Sequence, residues 1–412
     1  MKIGVLREDK KPHDKRVAFT PEQCLIVQNN FPNTEVVVQP SDWRSYTNEE
    51  YISKGIKMTE DISDCDILIG IKEVPKQNLI ANKKYLFFSH TIKKQPHNKS
   101  LLQTILQKNI QLIDYECLTD ADFNRIIGFG YYAGIVGAYN GILAYGKKYK
   151  LFDLKPAHLC YDKKELKEEL KKANLTNIKI IVTGNGRVAN GAVELLGVLD
   201  IRRITSYEFT HYSFREPTYV QLHSPNYNEA IDGSPWNTDN FYKHPEKFRS
   251  TFGKYTKDCD LLIHCSFWDP RAPILFSKKD MRSPDFRISV IADVTCDING
   301  SIPSTVRSTT IEDKFYGYNP VTESIGEAFS NDTITVMAVD NLPCELPRNA
   351  SEDFGKELID KVLPALLLND EQGLIDRGSI TKGGKLMPRF NYLSDYASAT
   401  SNLSEESLPE KN

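Results

Sequence analysis

An α/β fold of two Rossmann-like domains, parallel sheets with flanking helices, is predicted by three observations. The first ~130 residues alternate short apolar runs with helix-like segments, the pattern of a parallel sheet with crossover helices. A second series of apolar runs begins at Asn177 and is followed at once by a glycine-rich turn. The length, 412 residues, exceeds the ~250–300 over which a single core usually grows, so two domains are expected.

In order, the first part reads as a strand Lys2–Leu6, a helix entered at Thr20-Pro21-Glu22, strands Thr34–Val38, Ile67–Ile71 and Tyr85–Phe88, a helix Leu101–Gln107 and a strand Ile110–Tyr115. Gly134, Gly137 and Gly141 then recur at three- and four-residue spacing on a helix, a small-residue stripe suited to close packing of another element. Lys163–Lys172 reads as a solvated helix face. Strands follow at Ile178–Val182, Ile204–Tyr207, Leu261–His264 and Ile288–Val294. Between Phe209 and Lys257 lies a stretch of about 50 residues, rich in aromatic side chains and longer than ordinary connections, which reads as an ordered insertion. A helix from Glu352 to Leu368 leads to a polar end, and 401–412 reads as a disordered tail.

The segment NIKIIVTGNGRVANGA, Asn177 to Ala192, predicts a dinucleotide site. Ile178, Ile180, Ile181 and Val182 suit a strand covered on both faces. Gly184 and Gly186 permit a tight turn and close approach of backbone to a pyrophosphate, which free N–H groups at the following helix start, around Arg187 and Val188, can bind. Ala189 fills the third small position of G-x-G-x-x-G/A. Glu208, about 22 residues after Gly186 and at the end of the apolar stretch Ile204–Tyr207, stands near the ~20 expected for an acceptor of a ribose diol. An ordinary strand–turn–helix corner is the competing interpretation of the same pattern.

Composition excludes several classes. A net charge of −3 offers no electrostatic reason for a nucleic acid or anionic membrane partner. The eight cysteines show no C-x-x-C pair and no zinc-like spacing, so reduced thiols and no metal site are expected. MKIGVLREDKK lacks the apolar core of a secretory signal, and Tyr131–Tyr145 is too short to span a bilayer. A cytoplasmic protein with small-molecule substrates is expected, with homo-oligomerisation left open.

Ionisable groups cluster where strands end. Lys72 and Glu73 follow Ile67–Ile71, and His90 follows Tyr85–Phe88 with Lys93 three residues on. The carboxyl ends of strands in open α/β sheets face the binding crevice, so these groups can converge there as an acid and a base. Lys11, Asp14 and Arg16 precede the first helix; Glu116 and Arg125 follow Ile110–Tyr115. Arginines for carboxylates and a glutamate for an amine suit a zwitterionic substrate, while an internal salt-bridge network explains the same residues without one. Asp293 and Asp297 follow Ile288–Ala292, and Asn341 follows Val336–Val339; one of these aspartates is suited to orienting the histidine or to holding a cofactor near its reactive ring.

With these residues assembled, the chain resembles the lysine-forming saccharopine dehydrogenases and the lysine–ketoglutarate reductase domain of the animal bifunctional enzyme, within the superfamily of alanine dehydrogenase and transhydrogenase. The runs are GIKEVP at 70–75, FFSHTIKKQ at 87–95, LIDYE at 112–116, FGYYAGIVGA at 129–138, TGNGRVANGA at 183–192, YKHPEKFRSTF at 242–252 and DNLPCELP at 340–347. The resemblance implies a catalytic domain of residues 1–130 completed by 345–400, a nucleotide domain of 131–344, and an active-site cleft between them. By that similarity Lys72 and His90 are the acid–base pair, and Arg16, Lys93, Glu73, Glu116 and Arg125, with Lys11 and Asp14 nearby, line the substrate site. Gly184, Gly186, Arg187, Val188, Glu208, Asp297, Asn341 and Leu342 surround the cofactor. The implied reaction is the reversible reductive condensation of L-lysine with 2-oxoglutarate to saccharopine. Glu208 would repel a 2′-phosphate, which favours NAD over NADP. The alternatives are an amino-acid dehydrogenase of the alanine dehydrogenase kind and a non-catalytic nucleotide-sensing module.

Overall fold

The computed structural model describes residues 1–398. The described chain divides into two units, 1–128 with 347–398, and 129–346, and each carries an eight-stranded sheet dominated by parallel pairs. The stretch 401–412, read above as a tail, lies outside the described residues.

In the first unit the apolar runs become β1 (Lys2–Val5), β2 (Glu35–Val38), β3 (Lys57–Met58), β4 (Ile67–Ile69), β5 (Lys84–Phe87) and β6 (Gln111–Asp114). Their order is β6-β5-β4-β1-β2-β3, all parallel. Two strands from the far end of the chain, Ser379–Lys382 and Lys385–Leu386, extend the β6 edge antiparallel. The chain builds outward from β1 to β2 and β3, then returns to the other side as β4, so the topological switch point lies between β1 and β4. The helix Pro21–Asn30 begins at Thr20, which forms a capping box with Gln23, and has a proline in its first turn. Ile380, Phe390 and Leu393 bury in one core with Leu68, Tyr85, Phe87 and Leu102. Burial of ~1.5–3 kcal/mol per such side chain anchors the C-terminal segment to this unit.

The second unit holds β7 (Lys179–Thr183), β8 (Arg202–Arg203), β9 (Thr218–Leu222), the small antiparallel pair β10 (Asn228–Ala230) and β11 (Phe248–Ser250), then β12 (Leu261–His264), β13 (Val290–Asp293), β14 (Phe315–Asn319), β15 (Ser324–Gly326) and β16 (Ile334–Met337). The sheet runs β15-β14-β16-β13-β12-β7-β9-β8. β7, β12, β13 and β16 are buried at every position, as expected of strands covered on both faces. The glycine stripe lies on the helix Gly130–Tyr149 and serves packing. A Cβ on Gly134 would stand 1.8 Å from the Val188 carbonyl oxygen, and one on Gly137 would stand 2.4 Å from Val294. No helix among the described residues is long and apolar enough to cross a membrane.

Two elements differ from expectation. Ile204–Tyr207 is not a strand: β8 stops at Arg203, and the helix Ser206–His211 starts one residue after the Thr205 cap. Thr205 and Glu208 form a reciprocal capping box that satisfies free N–H groups at the helix start, and this local gain outweighs the short apolar run. The place beside β7 belongs to β9, which lies within the stretch read as an insertion, so the excursion proper starts only after Leu222.

Candidate functional site

At the carboxyl edge of the first unit's sheet, β1, β4, β5 and β6 each release a charged segment. After β4, the Glu73 carboxylate accepts from His90 Nδ1 at 2.7 Å through Oε1 and from Lys10 Nζ at 2.8 Å through Oε2. This arrangement places the His90 proton on Nδ1 and leaves Nε2 as the basic nitrogen. Burial opposes the charge on Glu73, but the bonds from His90 and Lys10 hold its carboxyl down at about 2. His90 sits in the left-handed region, φ 53°, a conformation that the end of β5 and the following turn impose on a non-glycine residue.

The Lys72 ammonium donates to no acceptor among the described residues. Burial and then the neighbouring Arg16 charge pull its pKa below the ordinary lysine value. Its backbone N–H, with that of Ile71, is bound by Glu8, whose two carboxylate oxygens accept at 2.8 and 2.6 Å. Glu8 follows β1 across the switch point and is buried; burial pushes its carboxyl up to about 8 against the pull of those N–H groups. Glu8 and Lys10 escaped the sequence analysis, although their position just past a strand end was the available signal.

Arg16 is paired within the protein. Its guanidinium is forked onto Asp14, Nε to Oδ1 at 2.9 Å and Nη2 to Oδ2 at 2.6 Å, and both side chains are buried. Burial alone would raise Asp14, but Arg16 outweighs it and holds the carboxyl well below the usual range. The internal ion pair thus accounts for Arg16 and Asp14, and their nearness to Lys72 makes them part of its electrostatic surroundings. Glu116 accepts from Arg125 Nη2 at 3.0 Å, with Lys93 Nζ at 3.7 Å, all through Oε1. Its Oε2 is buried with no hydrogen-bond partner, a vacancy for a donor such as an ammonium. Lys11 is exposed.

In the second unit a cavity of about 580 Å³ opens at the carboxyl ends of β7, β9, β12 and β13. Gly184, Gly186, Arg187, Val188 and Asp297 line it. Gly184 has φ +94°, which only glycine adopts readily. The helix Arg187–Gly197 starts at Gly186 with no side chain capping its first N–H groups, and nothing lies within 4 Å of where a Cβ on Gly186 would be. Open donors at a helix start with space above them fit a pyrophosphate. Beneath the cavity His264 is buried, with Nδ1 2.8 Å from Thr183 Oγ1 and Nε2 2.8 Å from Ser301 Oγ.

Three residues expected around a cofactor are not among those that line this cavity. Glu208 is exposed on the helix after β8, its carboxylate committed to Thr205 N and Oγ1 at 2.7 and 2.8 Å. The strand beside β7 ends instead in Leu222, followed by His223 and Ser224. Leu342 is buried, and its Cδ1 is 3.5 Å from where a Cβ on Gly137 would be; Asn341 opens the turn Leu342–Glu345. Neither is among the cavity residues. Conversely, Tyr227, Phe241, Tyr242, Phe267 and Trp268 line the cavity and were not singled out in the sequence.

Residues 4–136 match the alanine dehydrogenase/PNT N-terminal domain. The chain is 26% identical to the alpha-aminoadipic semialdehyde synthase of Arabidopsis thaliana over 95% of its own length and 41% of the relative's. It is 26% identical to the saccharopine dehydrogenase (NAD+, L-lysine-forming) of Emericella nidulans, over 87% of this chain and 90% of that one. The chain thus spans less than half the length of the semialdehyde synthases it matches. Among solved structures an L-alanine dehydrogenase has the same fold, with a TM-score of 0.65 at 17% identity over 96% of this chain and 100% of that one. The chain carries the alanine dehydrogenase/PNT N-terminal domain and is homologous to the lysine-forming saccharopine dehydrogenases and the semialdehyde synthases.

Proposed function

We propose that the chain is a nicotinamide-dependent oxidoreductase acting on a CH–NH bond, which condenses L-lysine with 2-oxoglutarate and reduces the resulting imine to saccharopine, reversibly. The observation that carries the proposal is the placement of Lys72, whose ammonium meets no acceptor and whose pKa is lowered by burial and then by Arg16, and of a Glu73-oriented His90 at the ends of neighbouring strands β4 and β5. Amine attack, loss of water and imine formation each move a proton, so an acid and a base are needed. Lys72, with Arg16 beside it, takes the proton from the substrate ammonium. His90 Nε2 takes the next proton from the attacking amine while Lys72 returns its own to the carbinolamine oxygen, and His90 then gives its Nε2 proton to the hydroxyl that leaves as water, with Glu73 keeping the Nδ1 proton in place. The vacant Oε2 of Glu116 receives the second substrate ammonium, while Lys93, Arg125, Lys10 and Lys11 offer positive charge to the carboxylates. The backbone of the Gly184–Val188 turn would hold a dinucleotide, which would supply hydride chemistry.

Glu208 does not decide between NAD and NADP. Neither His223 nor Ser224, at the end of β9, would repel a 2′-phosphate as a carboxylate would, so NADP is accepted as well as NAD. The protein acts on small molecules and needs neither nucleic acid nor a membrane.

Oxidation of NADH and NADPH is followed by absorbance with lysine plus 2-oxoglutarate and, separately, with pyruvate plus ammonia. Lysine-dependent oxidation is expected. Lys72→Met and His90→Gln should each lower turnover ~100-fold or more while NADH binding is retained. Turnover that requires ammonia and not lysine would establish an alanine dehydrogenase-like reaction instead. Calorimetric NADH binding without oxidation by any pair would establish a nucleotide sensor.

A further inference from the structure

We propose that the buried His264 is a positioning residue: it fixes the direction of the Ser301 hydroxyl, so that Ser301 presents a hydrogen-bond donor to an oxygen acceptor on the nicotinamide half of a dinucleotide. The assignment rests on the dinucleotide reading of the glycine turn and deepens it.

Three strands of the second unit end side by side beneath the cavity. Thr183 closes β7, His264 closes β12 and Asp293 closes β13, and the register pairs His264 with both neighbours. All three are buried, as is Ser301. The imidazole bridges two hydroxyls, with Nδ1 2.8 Å from Thr183 Oγ1 and Nε2 2.8 Å from Ser301 Oγ. Burial lowers the pKa of His264 below the ordinary histidine value, against the pull of the Asp293 charge on the adjacent strand, so the ring is neutral near pH 7 and carries one proton. Asp293 is itself engaged by other groups, accepting from Thr295 Oγ1 at 2.7 Å and from Thr305 Oγ1 at 2.6 Å.

The position of that proton follows from the hydroxyls. Thr183 Oγ1 already accepts the Cys265 backbone N–H at 3.1 Å. With the imidazole proton on Nδ1, Thr183 would accept twice, and its own buried hydroxyl hydrogen would meet no acceptor among the described residues. With the proton on Nε2, Thr183 donates to Nδ1 and Nε2–H donates to Ser301 Oγ, which leaves a single hydrogen unused. That hydrogen belongs to Ser301, which lines the cavity. A serine hydroxyl ordinarily donates or accepts as its surroundings ask; here the imidazole N–H occupies its oxygen and leaves it to donate. The loop that carries Ser301 is fixed as well. The Ser301 carbonyl accepts from Leu275 N at 3.0 Å, and Asn299 N donates to the Thr305 carbonyl at 3.0 Å.

Strand order decides which half of a dinucleotide this donor meets. The order reverses between β7 and β12, so β7 and β9 underlie one half of the ligand and β12 and β13 the other. The glycine turn follows β7, which gives that side to the adenosine; Ser301 follows β13, on the nicotinamide side, where carboxamide and ribose oxygens are the acceptors.

The test uses the full chain and reads binding rather than turnover. NADH and ADP, which lacks the nicotinamide and its ribose, are titrated by calorimetry against wild type, Ser301→Ala, His264→Asn, His264→Gln and the double variant Ser301→Ala/His264→Asn. An asparagine amide takes the place of Nδ1 and stays on Thr183 but stops short of Ser301, whereas a glutamine amide extends to the place of Nε2. Ser301→Ala and His264→Asn should each weaken NADH ~10-fold and leave ADP within ~twofold of wild type, and His264→Gln should recover most of the NADH affinity. The double variant should bind NADH no more weakly than either single variant, because His264 acts through Ser301. NADH affinity within ~twofold of wild type in Ser301→Ala overturns the assignment, as do a ~100-fold loss in the double variant and a His264→Gln as weak as His264→Asn. An ADP affinity that falls as far as that of NADH in any variant overturns it too, since a purely structural role then accounts for the loss. A wild type that binds neither ligand overturns the dinucleotide reading itself, a separate outcome.

Discussion

Two glycines of the second unit separate folding from binding. A Cβ on Gly134 would lie 1.8 Å from the Val188 carbonyl oxygen and 2.9 Å from Ala192 N; reciprocally, one on Gly191 would lie 2.0 Å from the Tyr131 carbonyl oxygen. An ordinary carbon–oxygen contact is ~3.3 Å or more, so Gly134→Ala forces the helices Gly130–Tyr149 and Arg187–Gly197 apart by ~1.5 Å. The obstacle is backbone, which no rotamer change can relieve, so the cost falls at the upper end of overpacking, ~3 kcal/mol. With a urea dependence of ~2–3 kcal/mol per molar, the unfolding midpoint should fall by ~1 M. Gly186 is the contrasting case, with extended backbone at φ −85°, ψ −168° and nothing within 4 Å of a Cβ. Gly186→Ala should cost at most ~1 kcal/mol as a poorer helix cap, yet its methyl intrudes where backbone must approach a phosphate, and NADH affinity should fall ~10-fold. Urea denaturation and NADH fluorescence titration read the two effects independently. A Gly134→Ala midpoint within ~0.3 M of wild type would refute the close helix contact. Unchanged NADH affinity in Gly186→Ala would refute the phosphate cradle.

Two further predictions concern buried carboxylates. Because Glu73 is held at about 2 against an ordinary 4.5, its contribution to stability is complete above pH 4.5 and is lost as the pH falls through about 2. Glu73→Gln should therefore destabilise the protein by ~2–3 kcal/mol at pH 7, with the gap to wild type narrowing by ~2 kcal/mol at pH 3; urea unfolding at both pH values checks this, and a gap independent of pH contradicts it. Glu8 has the opposite sign: with its carboxyl raised to about 8, the stability it confers is complete below pH 4.5 and is lost as the pH rises through about 8. Wild type should accordingly lose stability relative to Glu8→Gln between pH 6 and 9, by ~3 kcal/mol in unfolding free energy, and parallel pH profiles for the two proteins would exclude a raised Glu8.

Much of this architecture was legible because its signals are local. The runs at 178–182, 261–264 and 288–294 overlap β7, β12 and β13, and the spacing of Gly134, Gly137 and Gly141 marked a packed helix. The strand-end placement of Lys72, Glu73 and His90 follows from short apolar runs that stop just before them. Ile204–Tyr207 misled for an equally local reason: an apolar run of four residues also fits the start of a helix, and Thr205-x-x-Glu208 was the capping signal that distinguished the two.

The sequence by itself determined the strands at 178–182, 261–264 and 288–294, the glycine turn after the first of them, and which charged residues stand at strand ends, because side-chain period and glycine conformation act over a few residues. Only the tertiary structure decided that β9 rather than β8 lies beside β7, so that Glu208 does not follow the strand next to the glycine turn. It alone showed that Asp14 occupies the Arg16 fork, that Glu8 holds the Lys72 backbone from across the switch point, and that residues 379–386 complete the first sheet. Strand order and the choice of ion-pair partner depend on which distant surfaces become buried together, and neither has a sequence-local period from which to read it.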